Sequence, residues 1–134
     1  MNRYLLDTSA LLTLRDNEAG ADQVANLLYE TQKGQSVCLA CFMTLMEVFY
    51  RVWKDEGETA GRLAYEQSYA LPIEWIHEEK PLLEKAAELK ATHAISLADA
   101  WIAAAAILQD AKLVHKDPEF TQLDCDQLSL PYKL

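Results

Sequence analysis

The chain has 134 residues, 51% of them hydrophobic and 25% charged, with four Gly and four Pro, a balance that excludes a low-complexity polymer and fits one globular domain over residues 1–134. Twelve Lys and Arg against 21 Asp and Glu give a net charge of −9, the wrong sign for holding nucleic acid by bulk electrostatics, so a nucleic-acid role has to be local. Three cysteines, Cys38, Cys41 and Cys125, are too few for a disulfide framework, and an odd count fits a reducing compartment.

The first strand is read at Tyr4-Leu5-Leu6, an apolar run without polar alternation, as in a strand covered on both faces. No basic region with a long apolar stretch precedes it, so the expectation is a cytoplasmic protein with no membrane partner. Asp7 ends the run, and Ser9 to Leu14 suits a helix. Val24, Leu27 and Leu28 make one face of a second helix that stops at Gly34. Ser36 to Ala40 is a second buried strand. Cys38-Leu39-Ala40-Cys41 has redox or metal spacing, but no second Cys or His pair completes a zinc site, and buried strand cysteines are the better reading.

Thr44-Leu45-Met46-Glu47 has capping-box spacing, which predicts a helix starting at Thr44 with Glu47 in its first turn and a stop near Glu56-Gly57. A fourth helix runs around Ala60 to Ala70, and Ile73 to Ile76 alternates like a third strand after Pro72. Pro81 suits a first helical position, with Leu82, Leu83, Ala86, Ala87 and Leu89 as a core stripe. Ser96-Leu97-Ala98-Asp99 repeats the cap spacing and opens the helix-prone stretch Ala100 to Leu108. Leu113-Val114 reads as a fourth strand and Leu128 to Leu130 as a short fifth. Strands alternating with helices predict an α/β fold, a three-layer α/β/α sandwich on a mainly parallel sheet of about five strands.

Ligands in such sheets collect beyond the carboxyl ends of the strands. Asp7 and Asp117 follow strands, while Glu47 and Asp99 sit near helix starts, so all four carboxylates can face one crevice. Hard oxygen donors without a Cys/His set favour Mg²⁺ or Mn²⁺ over Zn²⁺. The bland alternative is local: Glu47 and Asp99 as helix caps, and Asp7 and Asp117 as turn residues.

Four stretches, Leu5-Leu6-Asp7-Thr8-Ser9-Ala10-Leu11, Thr44 to Glu47, Ser96 to Ala104, and Leu113-Val114-His115-Lys116-Asp117-Pro118-Glu119-Phe120, resemble in order the acidic motifs of the PIN-domain family. The likeness is closest to VapC-type toxins of prokaryotic toxin–antitoxin pairs. It implies a Mg²⁺- or Mn²⁺-dependent endoribonuclease with an antitoxin partner and an RNA substrate. Asp7, Glu47 and Asp99 match the family's acidic triad, Asp117 its more variable fourth acid, and Ser9 a supporting hydroxyl. His115 departs from the Ser or Thr of many members, and is read as a strand-end His held by a neighbouring acid rather than a proton carrier.

Arg51, Lys54 and Lys116 are candidate contacts for an RNA backbone, each with ordinary surface charge or ion pairing as the alternative. Trp53, Trp75 and Trp101 are scattered singly and read as core or interface packing rather than base-stacking platforms. Phe49, Tyr50, Val52, Trp53, Leu63, Tyr65 and Tyr69 form an apolar surplus on the third and fourth helices, and with the resemblance they predict a homodimer. The rival readings are a phosphohydrolase with Asp7 as nucleophile, against which Ser9 stands where a second Asp is needed, and a catalytically silent PIN scaffold that binds a protein or RNA. Loss of a triad acid would mark that scaffold, and none is lost.

Overall fold

The computed structural model describes residues 1–132. Five parallel strands, β1 (Asn2–Leu6), β2 (Ser36–Cys41), β3 (Glu74–Ile76), β4 (Lys112–His115) and β5 (Gln127–Ser129), form one sheet in the order β3-β2-β1-β4-β5. Six helices connect them: α1 (Thr8–Arg15), α2 (Ala21–Gln32), α3 (Phe42–Glu56), α4 (Glu58–Tyr69), α5 (Lys80–Thr92) and α6 (Leu97–Leu108), with a 3-10 turn at Pro118–Gln122. The chain lays β2 and β3 to one side of β1 and β4 and β5 to the other, so the β1–β4 boundary is where the winding reverses.

Successive residues of a strand face opposite sides of the sheet, and the core divides accordingly. Leu5, Leu39, Cys41 and Leu113 pack with Leu82, Ala86 and Leu89 of α5 and with α6. Leu6, Cys38 and Val114 pack with Ala10, Leu11, Val24, Leu27, Val48 and Ala64 of α1 to α4. These two layers make the α/β/α sandwich predicted above. Central strands buried on both sides explain why β1, β2 and β4 read as unbroken apolar runs. Replacing a fully buried leucine such as Leu5 or Leu6 with Ala would cost ~2–5 kcal/mol. Ala103 to Ala106 of α6 are wholly buried, and side chains this small let the helix lie close to the sheet.

Cys38 and Cys41 belong to opposite layers and are both free, so their spacing makes no dithiol pair. Burial raises both thiols, Cys41 to about 12. Between α3 and α4 the approach is closest at Gly61. A Cβ there would meet the Phe49 carbonyl oxygen at 2.8 Å and Trp53 Cβ at 2.8 Å, so only glycine fits.

Three expectations change. The third helix begins at Phe42, directly after β2, with Cys41 supplying no side-chain cap. Thr44 is therefore inside the helix and Glu47 in its second turn, and no capping box forms. On α5, Leu82, Ala86 and Leu89 are buried, but Leu83 and Ala87 are exposed and line a surface groove with Leu97 and Trp101. Val52 is buried in the core, so the apolar surplus on α3 and α4 is carried by exposed Tyr50, Trp53, Leu63 and Tyr69, with Phe49 and Tyr65 stacked half-buried beneath them.

Candidate active site

β1 and β4 end side by side, with Leu6 paired to Val114. Asp7 N–H donates to the Val114 carbonyl, 3.1 Å, adding a rung beyond the β1 strand. The Asp7 side chain then caps α1 by accepting Ala10 N–H at 2.8 Å. Ser9 Oγ lies 2.7 and 2.8 Å from the two Asp7 oxygens, to which it donates, and accepts Lys116 N–H at 2.8 Å. One hydroxyl thus joins the turn after β1 to the turn after β4.

Asp7 is 2% exposed. Burial raises its carboxyl to about 7, against the opposing hydrogen bonds from Ser9 and Ala10, and the charges of Asp117 and Glu47 push the same way as burial. Those two carboxylates are therefore close enough to be felt. Glu47, 7% exposed, reaches the crevice from α3. Thr8 Oγ1 donates to Glu47 Oε1 at 2.6 Å, Thr44 Oγ1 lies 3.2 Å from the same Thr8 hydroxyl, and Arg51 Nη2 meets Glu47 Oε2 at 3.3 Å. Thr8 is a supporting residue that sequence reasoning passed over. Its signal was its place between Asp7 and Ser9.

Asp99, 8% exposed, enters from the first turn of α6. Ser96 Oγ accepts Asp99 N–H at 3.2 Å, the expected N-cap. The Asp99 carboxyl is raised by burial first and by the neighbouring Asp117 and Glu119 next. Asp117 caps the 3-10 turn by accepting Glu119 N–H on Oδ1 at 2.9 Å. Glu119 was quoted within a motif but given no role. Its carboxylate accepts the Ser96 N–H, 23 residues away in sequence.

Of the four acids named from the sequence, Asp7 feels the charges of Asp117 and Glu47, and Asp99 feels those of Asp117 and Glu119, so Asp117 is the acid common to both groups. Among the described residues, no three His, Cys, Asp or Glu side chains are arranged as a ready metal-ligand group. The oxygens of these acids are engaged within the protein. Asp7 is turned to Ser9 and Ala10, Glu47 to Thr8 and Arg51, and Asp117 Oδ1 and Glu119 Oε1 each hold a backbone N–H.

The PIN-domain family profile matches residues 4–124, a span that contains all four acids. The chain belongs to the PIN-domain family. No curated protein matches the sequence. Among solved structures, VapBC2 from Rickettsia felis, bound to a DNA fragment from its promoter, is 18% identical with a TM-score of 0.77, over 96% of this chain and 99% of that one. VapBC-1 from nontypeable Haemophilus influenzae is 20% identical with a TM-score of 0.72, over 95% and 97%. VapC20 from Mycobacterium tuberculosis, a toxin that cleaves the sarcin-ricin loop, is 18% identical with a TM-score of 0.68, over 89% and 93%. At these identities the likeness shows a shared fold.

Within this PIN domain the remaining candidates separate. Arg51, half-exposed, sits at the rim, paired with Glu47 and attracted by Asp99. Lys54 follows one turn on, and with Leu12, Arg15, Tyr50 and Arg51 it lines a 390 Å³ cleft. Arg15 is committed to Glu56, which it meets at 2.7 and 3.0 Å. Lys116 points away from the acids: its Nζ donates to the Ala19 carbonyl at 2.6 Å and pairs with Glu18 at 3.8 Å. It balances Glu18 rather than Asp117, and is a tether between the β4 turn and the α1–α2 loop.

His115 is fully buried, and its ring is held by an amide on each side rather than by an acid. Its Nδ1 accepts Asp117 N–H at 3.0 Å, so the ring proton is on Nε2, which donates to Gln127 Oε1 at 2.8 Å. Gln127 Nε2 in turn donates to the carbonyls of Phe120 and Leu123. This relay shapes the turn that carries Asp117.

Proposed function

We propose that the chain is a Mg²⁺- or Mn²⁺-dependent endoribonuclease acting as the toxin of a toxin–antitoxin pair. The observation that carries this reading is that Asp7 and Asp99 are both buried carboxyls raised by burial first, with Asp117 and Glu47 acting on Asp7 and Asp117 and Glu119 on Asp99. Gathering acids in this way is costly unless a cation or a proton offsets the repulsion. The donor set has the chemistry a hard divalent ion takes, carboxylate oxygens carried on separate elements.

In this reading Asp7, Glu47 and Asp99 hold the ion and Asp117 completes the set. When bound, the ion supplies charge to balance the scissile phosphate and lowers the pKa of water. The protein orients two of the carboxylates, Asp7 through Ser9 and Glu47 through Thr8, while the Ser96 cap holds the backbone N–H of Asp99 at the start of α6. Arg51 and Lys54 offer cationic contacts to flanking phosphates beside an otherwise acidic crevice.

The antitoxin proposed here brings a cationic side chain into that crevice, where charge-assisted hydrogen bonds compete with the metal. A homodimer through the exposed aromatic surface of α3 and α4 completes the assembly. The test is cleavage of defined RNAs by the purified chain with Mn²⁺ and with EDTA, alongside Asp7→Asn, and pull-down of the adjacent reading frame's product. Cutting that persists in EDTA, or in Asp7→Asn, refutes the metal-site reading. A neighbour that neither binds nor inhibits refutes the toxin pairing alone.

A further inference from the structure

The N-terminus of α6 is closed in an unusual way. In a reciprocal capping box the N-cap hydroxyl accepts the N–H three residues on, and the side chain at that position returns to accept the N-cap's own N–H. Ser96 makes the first bond, to Asp99 N–H. The second is not made by Asp99. Ser96 N–H goes to Glu119 Oε1, from the 3-10 turn after β4, while Glu119's own N–H is held by Asp117 Oδ1.

The consequence falls on Asp99. A carboxylate that folds back onto its own helix start is turned along the helix and away from β1 and β4. With the Ser96 amide already taken, the reciprocal bond is closed to Asp99. Burial first, and Asp117 and Glu119 next, raise its carboxyl, and its charge also bears on Arg51.

We propose that Glu119 is a positioning residue, which takes the reciprocal cap of α6 at Ser96 N–H and so keeps the Asp99 carboxylate turned into the acidic crevice. The proposal rests on reading Asp99 as a site residue. It also ties the β4 turn to α6, so that Asp117 and Asp99 are set against each other by one hydrogen-bonded chain: Asp117 Oδ1 to Glu119 N–H, and Glu119 Oε1 to Ser96 N–H.

The alternative for Glu119 is a further metal ligand, and the two roles part on charge. A cap needs an oxygen acceptor, which Gln supplies. A ligand to a hard cation needs the negative charge, which Gln lacks. The experiment compares the parent, Glu119→Gln and Glu119→Ala by amide-resolved hydrogen exchange without metal and by Mn²⁺ titration.

The Ser96 amide is expected to be protected in the parent and in Glu119→Gln and to exchange faster in Glu119→Ala. Mn²⁺ affinity is expected to stay within a few-fold of the parent in Glu119→Gln and to fall about tenfold or more in Glu119→Ala, the usual cost of losing a residue that orients a ligand. Equal loss of Mn²⁺ affinity in both variants would make Glu119 a ligand and overturn the proposal. Ser96 exchange that is the same in all three proteins would overturn it too. Protection at Ser96 that depends on Glu119, in a parent that binds no Mn²⁺, would support the cap and refute the metal reading of the acids.

Discussion

Thr8 Oγ1 donates to Glu47 Oε1 across 2.6 Å, linking the first residue of α1 to the sixth of α3. Both side chains are buried, so the bond exchanges little with solvent. Thr8→Val keeps the shape and removes the donor, leaving a buried carboxylate oxygen short of a partner at a cost of roughly 1–3 kcal/mol. The expected outcome is a melting temperature lower by several degrees and RNA cleavage reduced at least tenfold, because Glu47 is then held by Arg51 alone on the opposite oxygen. Thermal melts and a cleavage assay check both. Unchanged cleavage would show that Thr8 does not hold Glu47 in its working position.

The raised carboxyl of Asp7 has a definite pH signature. A folded-state value of about 7 against an ordinary 3.8 means that the folded chain binds the proton more tightly, so stability is greatest below pH 4 for this group and is lost as pH rises to about 7. The loss runs at up to about 1.4 kcal/mol per pH unit. Asp7→Asn has no such group. In EDTA the stability of Asp7→Asn relative to the parent should therefore grow between pH 4 and pH 7 and level off above. Added Mn²⁺ should raise the parent's melting temperature and leave the variant's nearly unchanged. A constant difference between the two proteins across that pH range would contradict the burial account of Asp7.

Arg51 and Lys54 should act on RNA, and Lys116 on the fold. Removing one phosphate contact weakens binding for all sequences and lowers the salt slope by about one. Arg51→Ala and Lys54→Ala are expected to raise KM and flatten the dependence of binding on salt. Lys116→Ala should leave that slope alone and destabilise the α1–α2 loop, since its partners are Ala19 and Glu18. Fluorescence titration of an RNA oligonucleotide at several salt concentrations, with the non-cleaving Asp7→Asn background, separates the two effects. A flattened slope in Lys116→Ala would reassign that lysine to the substrate.

His115 is expected to hold the turn and to carry no proton for the reaction. His115→Phe leaves Asp117 N–H and Gln127 without their buried partner, at roughly 1–3 kcal/mol for each unsatisfied group. Activity should fall with stability, and the pH profile of kcat/KM should keep the parent's shape. A limb missing from the variant's profile would place His115 in the chemistry.

The strands and the acids at their ends were legible because burial on both faces leaves an uninterrupted apolar run, and a carboxylate that stops such a run stands out. Asp7 was visible in this way, and Asp117 by its place two residues after the end of β4. The start of α3 was not. Cys41 leads from β2 straight into the helix without a capping side chain, and Thr44 with Glu47 imitates a cap while Thr44 is in fact buried against Thr8. Glu119 and Lys116 were opaque for a different reason. Their decisive partners, Ser96 and Ala19, lie 23 and 97 residues away, and no local period encodes a bond of that span.

The Ser9 bridge has a consequence for timing. Its two ends, Asp7 and the Lys116 amide, are brought together only when β4 is laid beside β1, a closure over 107 residues. Contacts of such separation form late, after the local helices. A growing chain that has emitted α1 to α6 holds three of its acids with no β4 turn to complete the crevice. Whatever these acids do together begins only after β4 has been laid beside β1, with every helix from α1 to α6 already made.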